Sequence, residues 1–234
     1  MRKIITLLFF VLSIYSYSQD SETYVNTAMR MISSKNYTMA LENLNIAIEN
    51  NPISYKGYIL RGMVKGELGD YNSSIKDISK AIDLKPNSSK AFYLRGIAKV
   101  KLRDYKGALN DYSSSINLNP KISNFYFNRG VLKDILKDVK GANQDYSKAI
   151  ELNPTEKNAF FNRGNNRQKI NDIKGAIDDY SKAIEINNND SEAYYSRGLA
   201  KLKLNKFQSA CEDLNTAYRL GDVQSKSLIL KYCN

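Results

Sequence analysis

Residues 123–156 read SNFYFNRGVLKDILKDVKGANQDYSKAIELNPTE, and the same frame returns along nearly the whole chain. The dipeptide Arg129-Gly130 recurs as Arg61-Gly62, Arg95-Gly96, Arg163-Gly164 and Arg197-Gly198, each 34 residues from the next. Four places before each glycine stands an aromatic: Tyr58, Phe92, Tyr126, Phe160 and Tyr194. Twelve places after it comes a small residue (Ser74, Ala108, Ala142, Ala176, Ala210), and nineteen after it another (Ala81, Ser115, Ala149, Ala183, Ala217). Pro86, Pro120 and Pro154 lie twenty-four after the first three glycines, where the last two units have Asn188 and Asp222. A degenerate copy comes first, with Tyr24, Ala28, Ala40, Ala47 and Pro52 at the matching places. Six units therefore run 21–54, 55–88, 89–122, 123–156, 157–190 and 191–224.

Within a unit the apolar spacing is helical. Ala142, Tyr146, Ala149 and Ile150 fall at i, i+4, i+7 and i+8, one face of a helix. Gly69-Asp70, Arg103-Asp104, Lys137-Asp138 and Asn171-Asp172 lie midway and signal a turn. The prolines close the second helix, and Ser54, Ser88 and Ser191 or their neighbours cap the next. Each unit is a helical hairpin. A glycine inside the first helix costs up to about 1 kcal/mol against alanine, so its recurrence implies close approach of the partner helix, matched by that helix's small residues.

These recurring aromatic, Gly, Ala, aromatic, Ala and Pro places resemble the tetratricopeptide repeat. The resemblance covers residue 21 to the end and implies an all-α fold: a right-handed superhelical solenoid of antiparallel helix pairs, its first helices lining a concave groove. This sequence departs from the family by five arginines where a large apolar residue is usual, and by Thr27-Ala28 in place of Arg-Gly in the first unit. An array of stacked hairpins needs a terminal cap. Leu228, Ile229 and Tyr232 form one apolar stripe after Gly221-Asp222, so residues 223–233 read as a capping helix.

The groove residues follow from helical phase, because places three before, one after and four after the glycine share a face. The first set is Val25, Ile59, Tyr93, Phe127, Phe161 and Tyr195; the second is Met29, Met63, Ile97, Val131, Asn165 and Leu199. The central members, Tyr93, Ile97, Phe127, Val131, Phe161, Asn165, Tyr195 and Leu199, form the candidate partner-binding stripe. The competing reading is packing between neighbouring units. One family use is to clamp acidic chaperone tails with basic and asparagine side chains; only Asn128, Asn162 and Asn165 resemble that pattern, and the apolar places argue against it.

Arg61 stands eight residues before the turn at Gly69-Asp70 and Asp77 seven after it, so antiparallel helices bring them to one height. The same offset pairs Arg95 with Asp111, Arg129 with Asp145, Arg163 with Asp179 and Arg197 with Asp213, a ladder of ion pairs.

Composition removes most chemistry. The 234 residues include no histidine and two cysteines, which excludes Ser-His-Asp and Cys-His nucleophiles, His-ligated catalytic zinc and four-sulfur zinc sites. No phosphate loop, metal cluster or activated nucleophile is found, so the chain reads as non-catalytic, with no cofactor, no metal and no small-molecule substrate. At 42% hydrophobic and 25% charged it is a folded protein.

Met1-Arg2-Lys3, an apolar run from Ile4 to Ile14 and the small residues Ser16 and Ser18 read as a secretory signal peptide, residues 1–18. An uncleaved anchor is the alternative, but the run falls short of the roughly 20 residues that span a bilayer. Loss of Arg2 and Lys3 takes the formal charge from +11 to +9. Export directs this basic surplus away from nucleic acid and toward anionic glycans, lipid surfaces or acidic proteins, with membrane contact at most peripheral. An oxidising compartment also favours a disulfide between Cys211 and Cys233, ten residues before and twelve after Gly221, which meet if the helices fold back antiparallel. The preferred function is a periplasmic or secreted scaffold holding a peptide or helix of an envelope protein; the alternative is a structural binder of anionic polymer or membrane surface. N-terminal sequencing of exported material should begin at Gln19, and an intact Met1 in a membrane fraction would overturn that expectation.

Overall fold

The computed structural model describes residues 20–233, so the leader reading of residues 1–18 lies outside the described residues. Every regular element among the described residues is a helix. The chain divides after Pro120 into two compact units. The first holds α1 (residues 20–33), α2 (Tyr37–Asn50), α3 (Tyr55–Glu67), α4 (Tyr71–Leu84), α5 (Ser89–Lys101) and α6 (Tyr105–Leu118). The second holds α7 (Ser123–Ile135), α8 (Val139–Leu152), α9 (Lys157–Lys169), α10 (Ile173–Ile186), α11 (Ser191–Lys203), α12 (Phe207–Arg219) and the shorter α13 (Ser225–Tyr232). Helices pack with their sequence neighbours within each unit.

The turn inside each pair is built by two overlapping end motifs. Arg103 adopts φ +61°, and Asp104 N–H donates to Lys99 C=O at 2.9 Å, which closes α5 in a Schellman end. The carboxylate of the same Asp104 accepts from Gly107 N–H at 2.9 Å and so starts α6. Asp70, Asp138 and Asp172 cap α4, α8 and α10 in the same way. Among the turns inside pairs only Gly69 meets the positive φ with glycine, as Gly221 does after α12; Lys35, Lys137, Asn171 and Asn205 adopt it as Arg103 does, at a cost of about 1–2 kcal/mol each. Between pairs, Ser54 and Ser88 cap α3 and α5, whereas α11 is capped by Asp190, and Ser191 is its first residue.

The apolar core is shared between successive pairs. Leu44 of α2 clusters with Val64 of α3, and Ile78 and Ile82 of α4 with Ala91 of α5. In the second unit Ile184 of α10 clusters with Ala193 of α11. A single hairpin leaves half of such a cluster in water, so stability comes from stacking. The recurring glycine also has its reason here: the second helix comes close at its small residue, with Ser74, Ala142 and Ala210 C=O 3.1–3.4 Å from a Cβ added at Gly62, Gly130 and Gly198, and a large side chain of that helix comes closer still. A Cβ at Gly96 would lie 2.7 Å from Tyr112, at Gly130 2.9 Å from Tyr146, and at Gly164 2.8 Å from Tyr180. At these three the glycine clears space for a ring on the second helix, and at Gly62 and Gly198 for Ile78 and Leu214.

Charge ties each pair together. Arg61 grips Asp77 through Nε and Nη2 at 2.9 and 2.8 Å, and Lys65 Nζ reaches the same carboxylate at 2.8 Å. The arrangement repeats as Arg95 and Lys99 on Asp111, Arg129 and Lys133 on Asp145, Arg163 and Arg167 on Asp179, and Arg197 and Lys201 on Asp213. The Asp side chains are at most 8% exposed. Each arginine also lies over the aromatic three residues before it, 5.5–5.8 Å from the centroid. In four of the five, Nη1 reaches back to the preceding pair: Arg61 to Asn45, Arg95 to Ser79, Arg163 to Ser147 and Arg197 to Ser181.

Cys211 of α12 and Cys233 are joined by a disulfide with their Cα atoms 5.6 Å apart. Phe207 stacks on Tyr232 at 6.3 Å, and Asp222 accepts from Ser225 N–H at 2.9 Å. The terminal helix therefore begins at Ser225, two residues later than the apolar pattern suggests. Asp145→Ala strands Arg129 and Lys133; it should cost about 3 kcal/mol in urea unfolding, near the lower end for a broken buried pair because the two cations keep a wet edge. Lys140→Ala, at an exposed site on the same helix, should stay within about 0.5 kcal/mol.

Candidate functional site

The first helix of each pair is clamped on one side by its arginine and, four residues on, by its second cation. Residues three before and one after the glycine occupy a different face. There Tyr93 and Ile97 on α5, Phe127 and Val131 on α7, Phe161 and Asn165 on α9, and Tyr195 and Leu199 on α11 are all half-buried. Each of three aromatics rests its inner side on a tyrosine of its own pair: Tyr93 on Tyr112 at 5.9 Å, Phe127 on Tyr146 at 6.0 Å and Phe161 on Tyr180 at 5.7 Å. These residues are thus both packing and surface. The earlier members of the set differ, since Val25 is 0% and Ile59 5% exposed.

Beneath this face the tyrosines diverge in what their hydroxyls meet. Tyr146 donates to Asp134 Oδ2 at 2.6 Å, and Asp134 Oδ1 accepts from Asn166 Nδ2 at 2.6 Å. Lys169 donates to Asn166 Oδ1 at 2.9 Å. The Tyr180 hydroxyl lies 2.8 Å from Asn165 Oδ1 and 3.2 Å from Gln168 Oε1. Asn166 is fully buried where units 55–88, 89–122, 123–156 and 191–224 carry Val64, Ala98, Leu132 and Ala200. The sequence carried that signal, a lone amide in an apolar column with Asp134 one unit earlier, but the column itself was not singled out.

Burial holds the hydroxyls of Tyr112, Tyr146 and Tyr180 well above the usual tyrosine pKa, and at Tyr146 the bond to Asp134 adds to it. Tyr93 is raised by burial as well. These phenols remain neutral donors across physiological pH. Among the described residues no group of three His, Cys, Asp or Glu side chains is placed to hold a metal, and no helix is long and apolar enough to cross a membrane. The face offers ring surface, methyl groups and amides, which is the chemistry of recognition.

An all-α array of antiparallel pairs with this 34-residue period defines a helical-repeat protein. Tetratricopeptide repeat models match residues 55–88, 123–156, 191–220 and 167–205, together a little over half of the chain, and the chain belongs to that family. Its members are protein-interaction scaffolds, generally non-catalytic. Solved structures share the fold. That reported as "YrrB: a TPR protein with an unusual peptide-binding site" matches with TM-score 0.70 at 20% identity, over 80% of this chain and 97% of that one. PilF of Pseudomonas aeruginosa matches with TM-score 0.79 at 14% identity, over 92% and 99%. MamA of Desulfovibrio magneticus RS-1 matches with TM-score 0.67 at 22% identity, over 73% and 97%. Comparison with the curated proteins finds no match.

The buried phenols set the alkaline limit of the fold. Below about pH 10 they are protonated in folded and unfolded chains alike; above it the unfolded chain ionises first and stability falls. The Tm should fall beyond about pH 10, with tyrosinate absorbance rising in two phases, the second coincident with loss of helicity. A single titration of all 17 tyrosines with helicity intact would contradict this.

Proposed function

We propose that the protein is exported and acts as a non-catalytic scaffold whose first-helix face holds a peptide or helix of an envelope protein. The observation that carries the reading is the half-open stripe of Phe127, Val131, Phe161, Tyr195 and Leu199 in the second unit, where rigid rings give contact area at small rotamer cost. Two features support export. The leader pattern at residues 1–18 is one, and the Cys211–Cys233 disulfide, which persists in oxidising compartments, is the other.

The alternative, an anionic polymer held by basic faces, has the charge surplus in its favour. Each Arg–Asp–Lys or Arg–Asp–Arg cluster retains one unit of positive charge, and there are five such clusters, so five of the +9 lie in groups already bonded inside the pairs. That leaves a smaller exposed surplus for a polymer.

Capture from an envelope extract separates the readings. The double variant Phe127→Ala, Phe161→Ala should lose at least about tenfold of the captured partner, a loss of about 1.4 kcal/mol, at moderate salt and with its helical signal retained. Val131→Glu provides a second disruption that leaves both rings in place. Capture that survives both variants but vanishes as ionic strength rises would favour the polymer reading.

A further inference from the structure

Between α3 and α5, over α4, the first unit holds a recess of about 310 Å³. Met63, Gly66, Ile78 and Ile97 line it, with the exposed Glu67 and Lys101 at its edge. Its origin lies in two departures from the repeat. The place sixteen residues after the glycine is tyrosine in the next three units, Tyr112, Tyr146 and Tyr180, each ring lying against its glycine. The place four after the glycine carries Val100, Asp134 and Gln168, and the hydroxyls of Tyr146 and Tyr180 reach the last two of these. In the unit 55–88 the same two places are Ile78 and Gly66. Ile78 fills the space beside Gly62, where an added Cβ would lie 2.6 Å from its Cγ1, but an isoleucine is shorter than a tyrosine ring. At Gly66 an added Cβ would meet nothing closer than Ser74 Oγ at 3.4 Å. The recess is the room left by one absent ring and one absent side chain.

Resting on the scaffold reading above, we propose that this recess is the anchor pocket for the bound peptide and takes one phenylalanine side chain from it. The occupant follows from what fills the same place in the next three units, an aromatic ring packed against the first helix, whereas the two end units fill it with Leu44 and Leu214. A phenyl ring suits it because Met63, Ile78, Leu94, Ile97 and Ala98 line the recess with apolar groups. The volume is at the lower bound for ligand pockets and fits a side chain rather than a cofactor. Glu67 and Lys101, opposite in charge, flank the entry and suit the ammonium and carboxylate groups of residues adjoining the anchor.

The test uses the mature chain and two kinds of probe. In methyl NMR, N-acetylphenylalaninamide should shift the Met63, Ile78 and Ile97 signals saturably, N-acetylglycinamide should not, and N-acetylleucinamide should act more weakly. Peptides selected from a displayed random library on the wild-type chain should be enriched in phenylalanine. They should lose at least about tenfold in affinity, about 1.4 kcal/mol, for Ile78→Tyr and for Gly66→Val. The two variants place here the residue types that the next unit carries at Tyr112 and Val100; if either loses its cooperative melt, the other carries the measurement. Selected peptides that bind the wild type and both variants alike would overturn the pocket and leave the scaffold reading standing. Absence of both selected peptides and methyl shifts would overturn the two together, and a stronger response to the leucine probe would overturn the aromatic anchor.

Discussion

Each pair of helices turns on one buried carboxylate shared by two cations. Asp145 would be costly to bury alone, and it is held by three donors, two from Arg129 and one from Lys133. The bidentate fork fixes the angle of the guanidinium, and its Cζ lies over the Tyr126 ring, 5.8 Å from the centroid. Because the two cations are four residues apart on the first helix, they pin its rotation about its own axis. In the units where a third donor reaches back to Asn45, Ser79, Ser147 or Ser181, the same arginine also sets the distance to the preceding pair. This explains why arginine stands where the family usually has a large apolar residue. The polar cluster does the packing of an apolar side chain and adds direction.

Fixed rotation gives the opposite face its meaning. Once the first helix cannot turn, the residues three before and one after the glycine must look outward, and the glycine must face the second helix. The tyrosine that enters over that glycine then supports the outward aromatic from below, as Tyr180 supports Phe161. Variation at two places per unit changes what the face offers while the frame stays the same. Ile78 with Gly66 leaves an apolar recess; Tyr180 with Gln168 and Asn165 leaves a hydrogen-bonded band. Recognition can thus differ between units while the Arg–Asp clamp is the same in each.

The period, the hairpin and the face were legible because each is a statement about spacing, and spacing is what a repeated sequence displays. The Arg–Asp offset was legible for the same reason, since antiparallel helices convert equal distance from a turn into equal height. What escaped depends on side-chain reach. Lys65, Lys99, Lys133, Arg167 and Lys201 recur with the same period, yet a cation on a helix surface looks alike whether it meets solvent or a buried carboxylate. Asp104 and its counterparts read as turn residues, and their second task as helix caps shows only in the hydrogen bonds. The volume beside Gly66 depends on three helices at once, so no local pattern could reveal it.

The C-terminal end rests on a covalent bond. At eight residues α13 is too short to hold itself together in water. It has half-buried Leu228 and Ile229 to set against α12 and a single stacked pair, Phe207 with Tyr232. A disulfide spanning 22 residues adds roughly 3 kcal/mol in the chain-entropy model, comparable with all that the short helix can contribute by packing. Without it Phe207 would lose its stacked partner Tyr232 whenever α13 frayed. The protein therefore leaves the sealing of its final pair to a covalent bond that a reducing compartment would not maintain, and its stability at that end is tied to where it resides.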